Sequence, residues 1–472
     1  MKINNIEITG LTNNSRHVKP GFAFFAVRGF NRDGTKYIPQ AIEAGATVIV
    51  TDEEYEGESF KVPNVRKFLI ECAAEFYKPF PGNMVAVTGT AGKTSVVHFC
   101  KYILEQLGKD VASVGTLGLI HNGQVSDIEA GRGSPDAVLF CEALGKLKKQ
   151  GVDHIAFEAT SDGIDQYRIP LHSVKVAGFT NLSVCAHLIT HGTMDNYFAA
   201  KKRLFTEILA PDGIAVLNAD HERFPEFHDI ERKVISYGKN GEHIKLLDVE
   251  HTDTGQKVTV GIGGQVYDYE TNAPGIFQTH NSMCALGMIM GLGFDPADVV
   301  RAMKGMTAPC GRMQYIGSPV KGGGVYVDYA HTPDGLRSLL MSARPICSGR
   351  LMVLFGTGGD RSPEPRPIAG QVMDELADVV YVTDDSWRNE DPAVIRAQIA
   401  AGCPKAINIA GRAAAIKQAI EDMQDHDVLI LACKGHEDFI EHYDENGEIY
   451  REHFSDIEEA EKCLAELAKK YA

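Results

Sequence analysis

Short, continuous apolar runs alternate with longer amphipathic stretches from the N-terminus onward. Continuous apolar runs predict buried strands, and apolar residues that recur every three or four positions predict helices. In the first part of the chain the strand runs are FAFFAV (22–27) and ATVIVT (46–51), and the helical stretches are YIPQAIEAG (37–45) and FLIECAAEFY (68–77). Two prolines and a glycine at 78–82 end this pattern. We therefore predict a small α/β domain over residues 1–80.

A second α/β pattern follows this break. Its apolar runs lie at 84–89, 154–159, 177–183 and 213–220, and a helix is predicted at 94–107. Strands that are apolar throughout are typical of a parallel sheet covered by crossover helices on both faces. The segment 245–272 predicts a β-hairpin insertion, and 279–305 predicts two helices. We expect a central domain with a mainly parallel sheet over residues 81–310.

A third α/β pattern begins near Gly311. Four apolar runs predict its buried strands: GGVYVDYA, LMVLFGTGG, VVYVTDD and DVLILACKG. Helical stretches lie between them, which is typical of a Rossmann-like domain. The fold class is therefore α/β with three domains, the last over residues 311–472.

Composition narrows the classes of function. The 472 residues carry a net charge of −16, which argues against general binding to nucleic acid or to an anionic membrane. No stretch approaches the ~20 apolar residues that span a bilayer, and the first residues lack the pattern of a secretory signal. We expect a cytoplasmic protein. Its ten cysteines include no CxxC pair, so we expect reduced and mostly buried thiols.

The most informative motif is MVAVTGTAGKTS at 84–95, an apolar run that leads through glycines into a predicted helix. Glycines ahead of a helix let backbone N–H groups approach phosphates, and the helix N-terminus favours negative charge. Lys93 would reach the β- and γ-phosphates, and the Thr94 hydroxyl would bind Mg²⁺. The common phosphate-loop pattern is incomplete, because Val87 stands where its first glycine would be. The candidate nucleotide residues of this loop are Thr88, Gly89, Thr90, Ala91, Gly92, Lys93, Thr94 and Ser95.

Three further residues are metal-ligand candidates. Glu158 and His187 follow apolar runs, and parallel sheets bind ligands at the carboxyl ends of their strands. Taken alone, Glu158 is better explained as a solvated loop carboxylate, and His187 as a surface or core histidine. Lys201 lies inside the apolar face of the predicted helix that holds Tyr197 and Leu204. A buried lysine is costly unless it is paired or modified, although a lysine that extends from a buried stem to solvent would give the same pattern.

Motifs along almost the whole chain resemble the ATP-dependent Mur ligases. They include NNSRHVKPGFAFFAVRGFNRDGTKYIPQAIEAGA, TGTAGKTS, TNLS, HGTMDNYFAAKKRLF, GRM, VDYAHTPDGL, FGTGGDR and CKGHEDF, in the family's order. The resemblance implies an ADP-forming ligase with ATP and Mg²⁺ as cofactors. It also implies that the enzyme adds an amino acid, expected to be a diamino acid, to UDP-N-acetylmuramoyl-L-alanyl-D-glutamate in peptidoglycan synthesis. The partners would be this UDP-linked muramoyl peptide and a free amino acid, with no nucleic acid or membrane, and we expect a monomer.

The resemblance also assigns site residues by position. The catalytic candidates are Lys93, Glu158, His187 and Lys201, the last as a carbamate that holds the second Mg²⁺. The metal ligands would be Thr94, Glu158, His187 and this carbamate. Residues that would contact ATP from outside the loop are Asn281, Arg312, Asp328 and His331. Residues that would contact the UDP-linked acceptor are Ser15, Arg16, Ser134, Ser161 and Arg168. Residues on the amino-acid side are Asp385, Arg388, Cys433 and Glu437.

Several motifs depart from the family pattern. Ala91 replaces an asparagine in the phosphate loop, and His187 is one residue further from TNLS than the pattern has it. The family's DNPR becomes Asp385-Ser386-Trp387-Arg388, and its GKGHE begins with Cys433. Two alternatives therefore stay open: a diverged ligase with a different acceptor or amine, and a nucleotide-binding pseudoenzyme. The sequence does not say which amino acid is added.

Overall fold

The computed structural model describes residues 1–29, 33–55, 59–126, 134–183, 188–252, 255–444 and 447–471. The chain forms two compact units. The first comprises Met1–Leu182, His191–Tyr237 and Cys284–Val299. The second comprises Ser183–Thr190, Gly238–Met283 and Val300–Ala472.

The first unit begins with a small four-stranded parallel sheet. Its order is β3-β4-β5-β6, preceded by a separate pair of two-residue strands, β1 and β2. The strands are β1 Lys2–Ile3, β2 Ile6–Glu7, β3 Gly10–Thr12, β4 Phe22–Phe25, β5 Val48–Thr51 and β6 Ser59–Lys61, and the helices are α1 Ile38–Glu43 and α2 Val65–Tyr77. The predicted strands and helices of this part are confirmed, with ends that differ by a few residues.

The same unit contains a larger sheet in the order β10-β9-β8-β11-β7-β12-β13-β14. Its six strands from β8 to β14 run parallel, and β9 and β10 add an antiparallel edge. The strands are β7 Asn83–Thr88, β8 Val111–Gly115, β9 Gly118–His121, β10 Gln124–Ser126, β11 His154–Glu158, β12 Val174–Phe179, β13 Leu209–Asn218 and β14 Lys233–Gly238. The helices are α3 Lys93–Gln106, α4 Ala137–Lys149, α5 Ser161–Asp165 and α7 Met194–Arg203, and α7 continues as a π-helical turn over Leu204–Ile208. The short helix α6 Leu188–His191 belongs to the second unit except for its last residue. Because β7 lies between β11 and β12, the carboxyl ends of these three strands meet at one edge.

An antiparallel sheet opens the second unit. It comprises β15 Ile244–His251, β16 Gln256–Ile262 and β17 Gln265–Asn272, with a short parallel strand β18 Met306–Thr307 beside β17. The predicted hairpin over 245–272 is therefore wrong, since the segment forms three strands. A register shift between Leu246 and Asp248 interrupts the alternation in β15 and leaves Leu247 exposed, which hid this strand in the sequence pattern.

A six-stranded sheet in the order β19-β20-β24-β21-β22-β23 forms the rest of the second unit. All its pairs are parallel except the edge strand β19. The strands are β19 Gln314–Gly317, β20 Gly324–Asp328, β21 Leu351–Phe355, β22 Val379–Val382, β23 Ile407–Asn408 and β24 Val428–Ala432, and a hairpin of β25 Phe439–Tyr443 and β26 Ile449–His453 follows. Two helices, α8 Ile276–Gly291 and α9 Pro296–Ala302, have residues in each of the two units. The later helices belong to the second unit and are α10 Pro333–Ala343, α11 Pro365–Leu376, α12 Pro392–Ala400, α13 Arg412–Glu421 and α14 Asp456–Tyr471.

Several strands could be predicted from apolar runs because all their residues are buried. Every residue of β20, β21 and β24 is buried, as the continuous apolar runs predict for strands covered on both faces. The strand β8 is equally buried but was not predicted. The α/β fold class is confirmed. None of the helices in the described ranges is both long enough and apolar enough to cross a membrane. The described cysteines are free thiols and most are buried, as expected.

Candidate active site

The phosphate loop joins β7 to α3. Gly92 has φ +87° at the N-terminus of α3, a left-handed conformation that favours glycine. A Cβ at Gly89 would lie 1.9 Å from Thr180 Oγ1, so no side chain fits there. Thr180 and Asn181, which follow β12, hold the loop at Ala91. Thr180 Oγ1 donates to the Ala91 carbonyl oxygen at 2.7 Å, and the Ala91 N–H donates to Asn181 Oδ1 at 2.9 Å. The neighbouring strand thus shapes the loop.

Two lysines converge on this loop. Lys93 Nζ donates to the carbonyl oxygens of Gly89 and Thr90 at 2.8 and 3.1 Å. Lys201 Nζ, from α7, donates to the same Gly89 oxygen at 2.9 Å and lies 4.3 Å from the centre of the Tyr197 ring. Only 1% of Lys201 is exposed, which confirms the burial that its helical position predicts. Two ammonium groups at one carbonyl oxygen concentrate positive charge where phosphates are expected.

Glu158 lies at the end of β11 beside the first turn of α3. It is 3% exposed, and its Oε1 accepts hydrogen bonds from Thr94 Oγ1 at 2.9 Å and from the Thr116 N–H at 2.8 Å. Thr116 Oγ1 donates to Oε2 at 3.2 Å. A buried carboxylate beside two hydroxyls is an all-oxygen donor set of the kind that Mg²⁺ prefers. The residues present therefore fit a magnesium ion.

The remaining candidates of this region are placed as follows. Thr88, at the end of β7, and Ser95, in the first turn of α3, are both buried. His187 lies outside the described residues, so its predicted role and register stay untested. Within the described ranges, no three His, Cys, Asp or Glu side chains lie close enough to hold a metal ion by themselves.

The acceptor-side candidates lie in the first unit. Ser15 is buried and its hydroxyl donates to Gln40 Oε1 at 2.8 Å, whereas Arg16 is exposed. Ser134 Oγ donates to the Glu158 carbonyl oxygen at 3.2 Å. Arg168 donates to the Ser134 carbonyl oxygen at 3.1 Å. Ser134 thus connects Arg168 to β11, the strand that ends in Glu158.

Ser161 is the last of these candidates. It begins α5 and is 2% exposed. Its hydroxyl finds no hydrogen-bond partner among the residues that the structure describes. A buried hydroxyl without a partner is costly, so a bound group would satisfy it.

In the second unit, Asn281 and Arg312 are linked through one side chain. Gln278 Oε1 accepts from Asn281 Nδ2 at 2.9 Å, and Gln278 Nε2 donates to the Arg312 carbonyl oxygen at 3.3 Å. The Arg312 guanidinium lies 4.7 Å from the centre of the Tyr329 ring. The structure therefore brings together two of the residues assigned to ATP.

Asp328 is the last residue of β20 and is hydrogen-bonded to Met313, the residue after Arg312. Its carboxylate accepts hydrogen bonds from the N–H groups of Met313 and Ala330, both at 2.8 Å. Burial raises the pKa of this carboxyl, and the Arg312 charge only partly opposes that effect. His331 is exposed, and its Nδ1 lies 2.9 Å from the carbonyl oxygen of Tyr329.

A buried charge network surrounds Asp385. Burial raises the pKa of its carboxyl, but Lys434 and Arg412 outweigh burial and hold the pKa at about 2. Lys434 Nζ lies 3.6 Å from Asp385 Oδ1, and both side chains are almost fully buried. Cys433 has φ +92°, and burial raises the pKa of its thiol well above the usual value. A cysteine therefore occupies a backbone conformation that favours glycine.

Arg388 is held beside the β25–β26 hairpin. Its Nε and Nη2 donate to Glu441 Oε2 at 3.2 and 3.1 Å, and its Nη1 donates to the Gly359 carbonyl oxygen at 2.8 Å. Arg451 donates to the other oxygen of Glu441. Burial raises the pKa of Glu441, but Arg451 and Arg388 reverse the shift and lower it overall. One edge of Arg388 is therefore already paired with a carboxylate.

The rest of this cluster is aromatic and acidic. Trp387 stacks on His442 with ring centres 5.1 Å apart and an angle of 5°. Glu437 Oε1 accepts a hydrogen bond from the Tyr329 hydroxyl at 3.1 Å. Since the Arg312 guanidinium lies over the Tyr329 ring, this bond links a candidate for amino-acid binding to a candidate for ATP binding.

Three family domains match the chain: "Mur ligase family, catalytic domain" at 7–77, "Mur ligase middle domain" at 87–289, and "Mur ligase, glutamate ligase domain" at 311–435. A relative from Bradyrhizobium diazoefficiens, named UDP-N-acetylmuramoyl-L-alanyl-D-glutamate–2,6-diaminopimelate ligase, is 40% identical over 445 residues, which is 92% of this chain and 90% of the relative. A relative of the same name from Caulobacter vibrioides is 41% identical over 442 residues, covering 91% of each chain. The chain belongs to the Mur ligase family.

Solved structures agree with this membership in the Mur ligase family. A structure titled UDP-N-acetylmuramoyl-L-alanyl-D-glutamate–2,6-diaminopimelate ligase matches with a TM-score of 0.72 and 27% identity, covering 98% of this chain and 96% of that one. The MurF ligase from Thermotoga maritima in complex with ADP matches with a TM-score of 0.62 and 18% identity, covering 100% of both chains, and so supports the fold. As a Mur ligase, the chain is an ATP-dependent, ADP-forming enzyme.

In each unit of this Mur ligase the structure places further residues beside the candidates that the motifs named. Thr116 follows β8 in an ordinary loop, and only the pairing of β8 with β11 brings it to Glu158. Lys434 and Glu441 also enter the site through hydrogen bonds and ion pairs. The signal that could have found Lys434 is its place inside CKGHE, next to the named Cys433.

Proposed function

We propose that the chain is a UDP-N-acetylmuramoyl-L-alanyl-D-glutamate–2,6-diaminopimelate ligase. The proposal rests on sequence identity: the two relatives of that name are 40% and 41% identical to this chain, over at least 90% of each sequence. The substrates would be ATP, the UDP-linked dipeptide and 2,6-diaminopimelate. A cytoplasmic location and a monomeric state stay predictions.

The proposed reaction has two steps. An acceptor carboxylate oxygen attacks the γ-phosphorus of ATP, ADP leaves, and an acyl phosphate forms. The amine nitrogen of the amino acid then attacks the carbonyl carbon, phosphate leaves, and the nitrogen loses a proton. Lys93 neutralises the transferring phosphoryl group, a role that its place over the loop supports.

We assign the metal to Thr94 and Glu158, with His187 and a carbamate on Lys201 as further ligands. The short distance between the Thr94 hydroxyl and Glu158 supports this assignment. When bound, Mg²⁺ supplies positive charge that offsets the charge of the phosphoryl oxygens. A carbamate would also remove one of the two ammonium charges that meet at the Gly89 carbonyl oxygen.

Domain roles follow the family matches. We propose that residues 1–80 bind the UDP moiety, residues 81–310 bind ATP, and residues 311–472 bind the amino acid. The matched ranges 7–77, 87–289 and 311–435 support these boundaries. On the amino-acid side we assign Asp385, Arg388, Cys433 and Glu437.

A ligase with a different amine donor is the second candidate. The observation that favours it is the pairing of Arg388 with Glu441, together with Trp387 in place of the family's proline. A carboxylate that already occupies one edge of Arg388 leaves fewer donors for a distal carboxylate of the substrate.

One assay separates these candidates. Purified protein is incubated with ATP, Mg²⁺, UDP-N-acetylmuramoyl-L-alanyl-D-glutamate and a panel that includes meso-2,6-diaminopimelate, L-lysine and L-ornithine. Phosphate release and product mass are measured. We expect turnover with meso-2,6-diaminopimelate, and an Arg388→Ala variant should raise its KM but not the KM of ATP. Turnover with another amino acid would support the second candidate, and ATP binding without any turnover would support a pseudoenzyme.

A further inference from the structure

A small cavity in the first unit is lined by polar side chains, and the motifs assigned a role to only one of them, Arg168. Its volume is about 80 Å³, and Asn13, Arg66, Asp136, Gln166 and Arg168 contribute to its lining. This volume exceeds the space that one water molecule needs.

Arg66 and Arg168 meet at one neutral oxygen in this cavity. Gln166 Oε1 accepts from Arg168 Nη2 at 2.8 Å and from Arg66 Nη1 at 3.3 Å. Arg66 Nη2 also donates to the carbonyl oxygen of Arg28 at 2.8 Å. Among the described residues, neither guanidinium lies within ion-pair distance of a carboxylate. Two like charges are thus held together by neutral acceptors.

The nearby carboxylates are engaged elsewhere. Asp136 caps α4 by accepting from the Val138 N–H, and its other oxygen accepts from Asn13 Nδ2 at 2.9 Å. Asp165 accepts from Arg203 Nη1 at 2.9 Å. Burial lowers the pKa of Arg66, Arg168 lowers it further, and the two aspartates do not cancel these effects. The pair therefore carries positive charge that its surroundings leave uncompensated.

Direct contacts connect this pair to the catalytic edge of the large sheet. Arg168 donates to the Ser134 carbonyl oxygen, and Ser134 Oγ donates to the Glu158 carbonyl oxygen. On its other side the cavity reaches Asn13, two residues before Ser15. A ligand that extends from the N-terminal sheet to Glu158 would therefore pass this cavity.

We propose that Arg66 is a further substrate-binding residue, which binds an oxyanion of the UDP-linked acceptor, a phosphate or a carboxylate, together with the already assigned Arg168. This inference rests on the proposed function. Paired guanidinium groups suit such a ligand because each can donate two parallel hydrogen bonds to an oxyanion. The oxyanion would also remove the repulsion between the two arginines.

Steady-state kinetics of Arg66→Gln and Arg66→Lys test the proposal, with Lys67→Gln as control. Lys67 is exposed on the same helix, so its substitution makes the same change of charge away from the cavity. We expect Arg66→Gln to raise the KM of the acceptor by about tenfold or more and to leave kcat and the KM of ATP nearly unchanged. Arg66→Lys should be intermediate, and Lys67→Gln should match the wild type. An acceptor KM that is unchanged in Arg66→Gln would overturn the proposal.

Thermal unfolding separates binding from folding. If Arg66 serves only to anchor α2 to the Arg28 carbonyl oxygen, Arg66→Gln lowers the melting temperature and leaves the acceptor KM alone. That result would also overturn the proposal. Wild-type protein without turnover on this acceptor would instead contradict the proposed function.

A binding measurement distinguishes the two sources of the oxyanion and requires no turnover. Calorimetry compares UDP-N-acetylglucosamine, which carries the diphosphate but no peptide, with N-acetylmuramoyl-L-alanyl-D-glutamate, which carries carboxylates but no diphosphate. Arg66→Gln should weaken one of them by about tenfold and leave the other unchanged. Equal binding of both ligands to variant and wild type would refute the role of Arg66.

Discussion

Replacing Cys433 by glycine and by alanine measures the strain at the start of the CKGHE segment. Cys433 has φ +92° and is 8% exposed, so its backbone conformation is held by a packed environment. Alanine keeps the Cβ and therefore the strain, whereas glycine removes both. The comparison of these two variants thus isolates the backbone effect from the loss of the buried thiol.

The expected magnitude follows from two opposing effects. A residue other than glycine in a sparsely populated positive-φ region costs on the order of 1–3 kcal/mol. Glycine gives the unfolded chain more freedom than alanine, which costs about 0.4–1 kcal/mol. We therefore expect Cys433→Gly to be more stable than Cys433→Ala by about 1 kcal/mol. At most positions the order is the reverse.

Denaturant unfolding followed by tryptophan fluorescence provides the assay. Trp387 is the only tryptophan of the chain and lies in the same unit as Cys433, so its emission reports on that unit. Ala432 is the matched control because it precedes Cys433 in the regular strand β24. Ala432→Gly should destabilise by about 1 kcal/mol. An alanine variant at 433 that equals or exceeds the glycine variant in stability would refute the reasoning.

Three further changes test the site. Lys201→Ala should leave little activity, and acetate or another short carboxylate should restore part of it; full activity without additive would exclude a carbamate. Gly89→Ala places a Cβ 1.9 Å from Thr180 Oγ1, so calorimetry should show ATP affinity reduced at least about tenfold, and unchanged affinity would contradict the crowding. The pKa of Asp385 is about 2 in the folded protein, against an ordinary value of 3.8. Its ionised carboxylate therefore contributes on the order of 2 kcal/mol to the free energy of unfolding. This contribution is fully present above pH 3.8 and is lost as the pH falls toward 2. The stability difference between wild type and Asp385→Asn, followed by Trp387 emission, should therefore shrink only below about pH 4; a difference that persists to pH 2 would contradict this pairing.

Much of the fold was predictable because its strands are buried on both faces. Continuous apolar runs mark such strands, and the helical position of Lys201 within an apolar face correctly indicated a buried lysine. The strand β15 was less visible, since a register shift leaves Leu247 exposed and breaks the alternation.

Side-chain partners far apart in sequence were not predictable from motifs. Thr116 reaches Glu158 only because β8 pairs with β11, and Arg66 lies in an ordinary amphipathic helix 100 residues from Gln166. From the sequence, Glu441 resembles a surface residue of a polar hairpin. In the structure it forms ion pairs with two arginines, Arg388 and Arg451. Such contacts depend on strand order and packing, which local sequence patterns do not encode.

Ala91 is attached to its surroundings by the peptide backbone alone. Its N–H and carbonyl oxygen are both bonded to the segment after β12, and its side chain is exposed. The exchange of the family's asparagine for alanine therefore leaves the phosphate cradle intact. The position is also suited to protein engineering, because a reporter group introduced as Ala91→Cys would stand at the proposed nucleotide site and would leave these backbone hydrogen bonds in place.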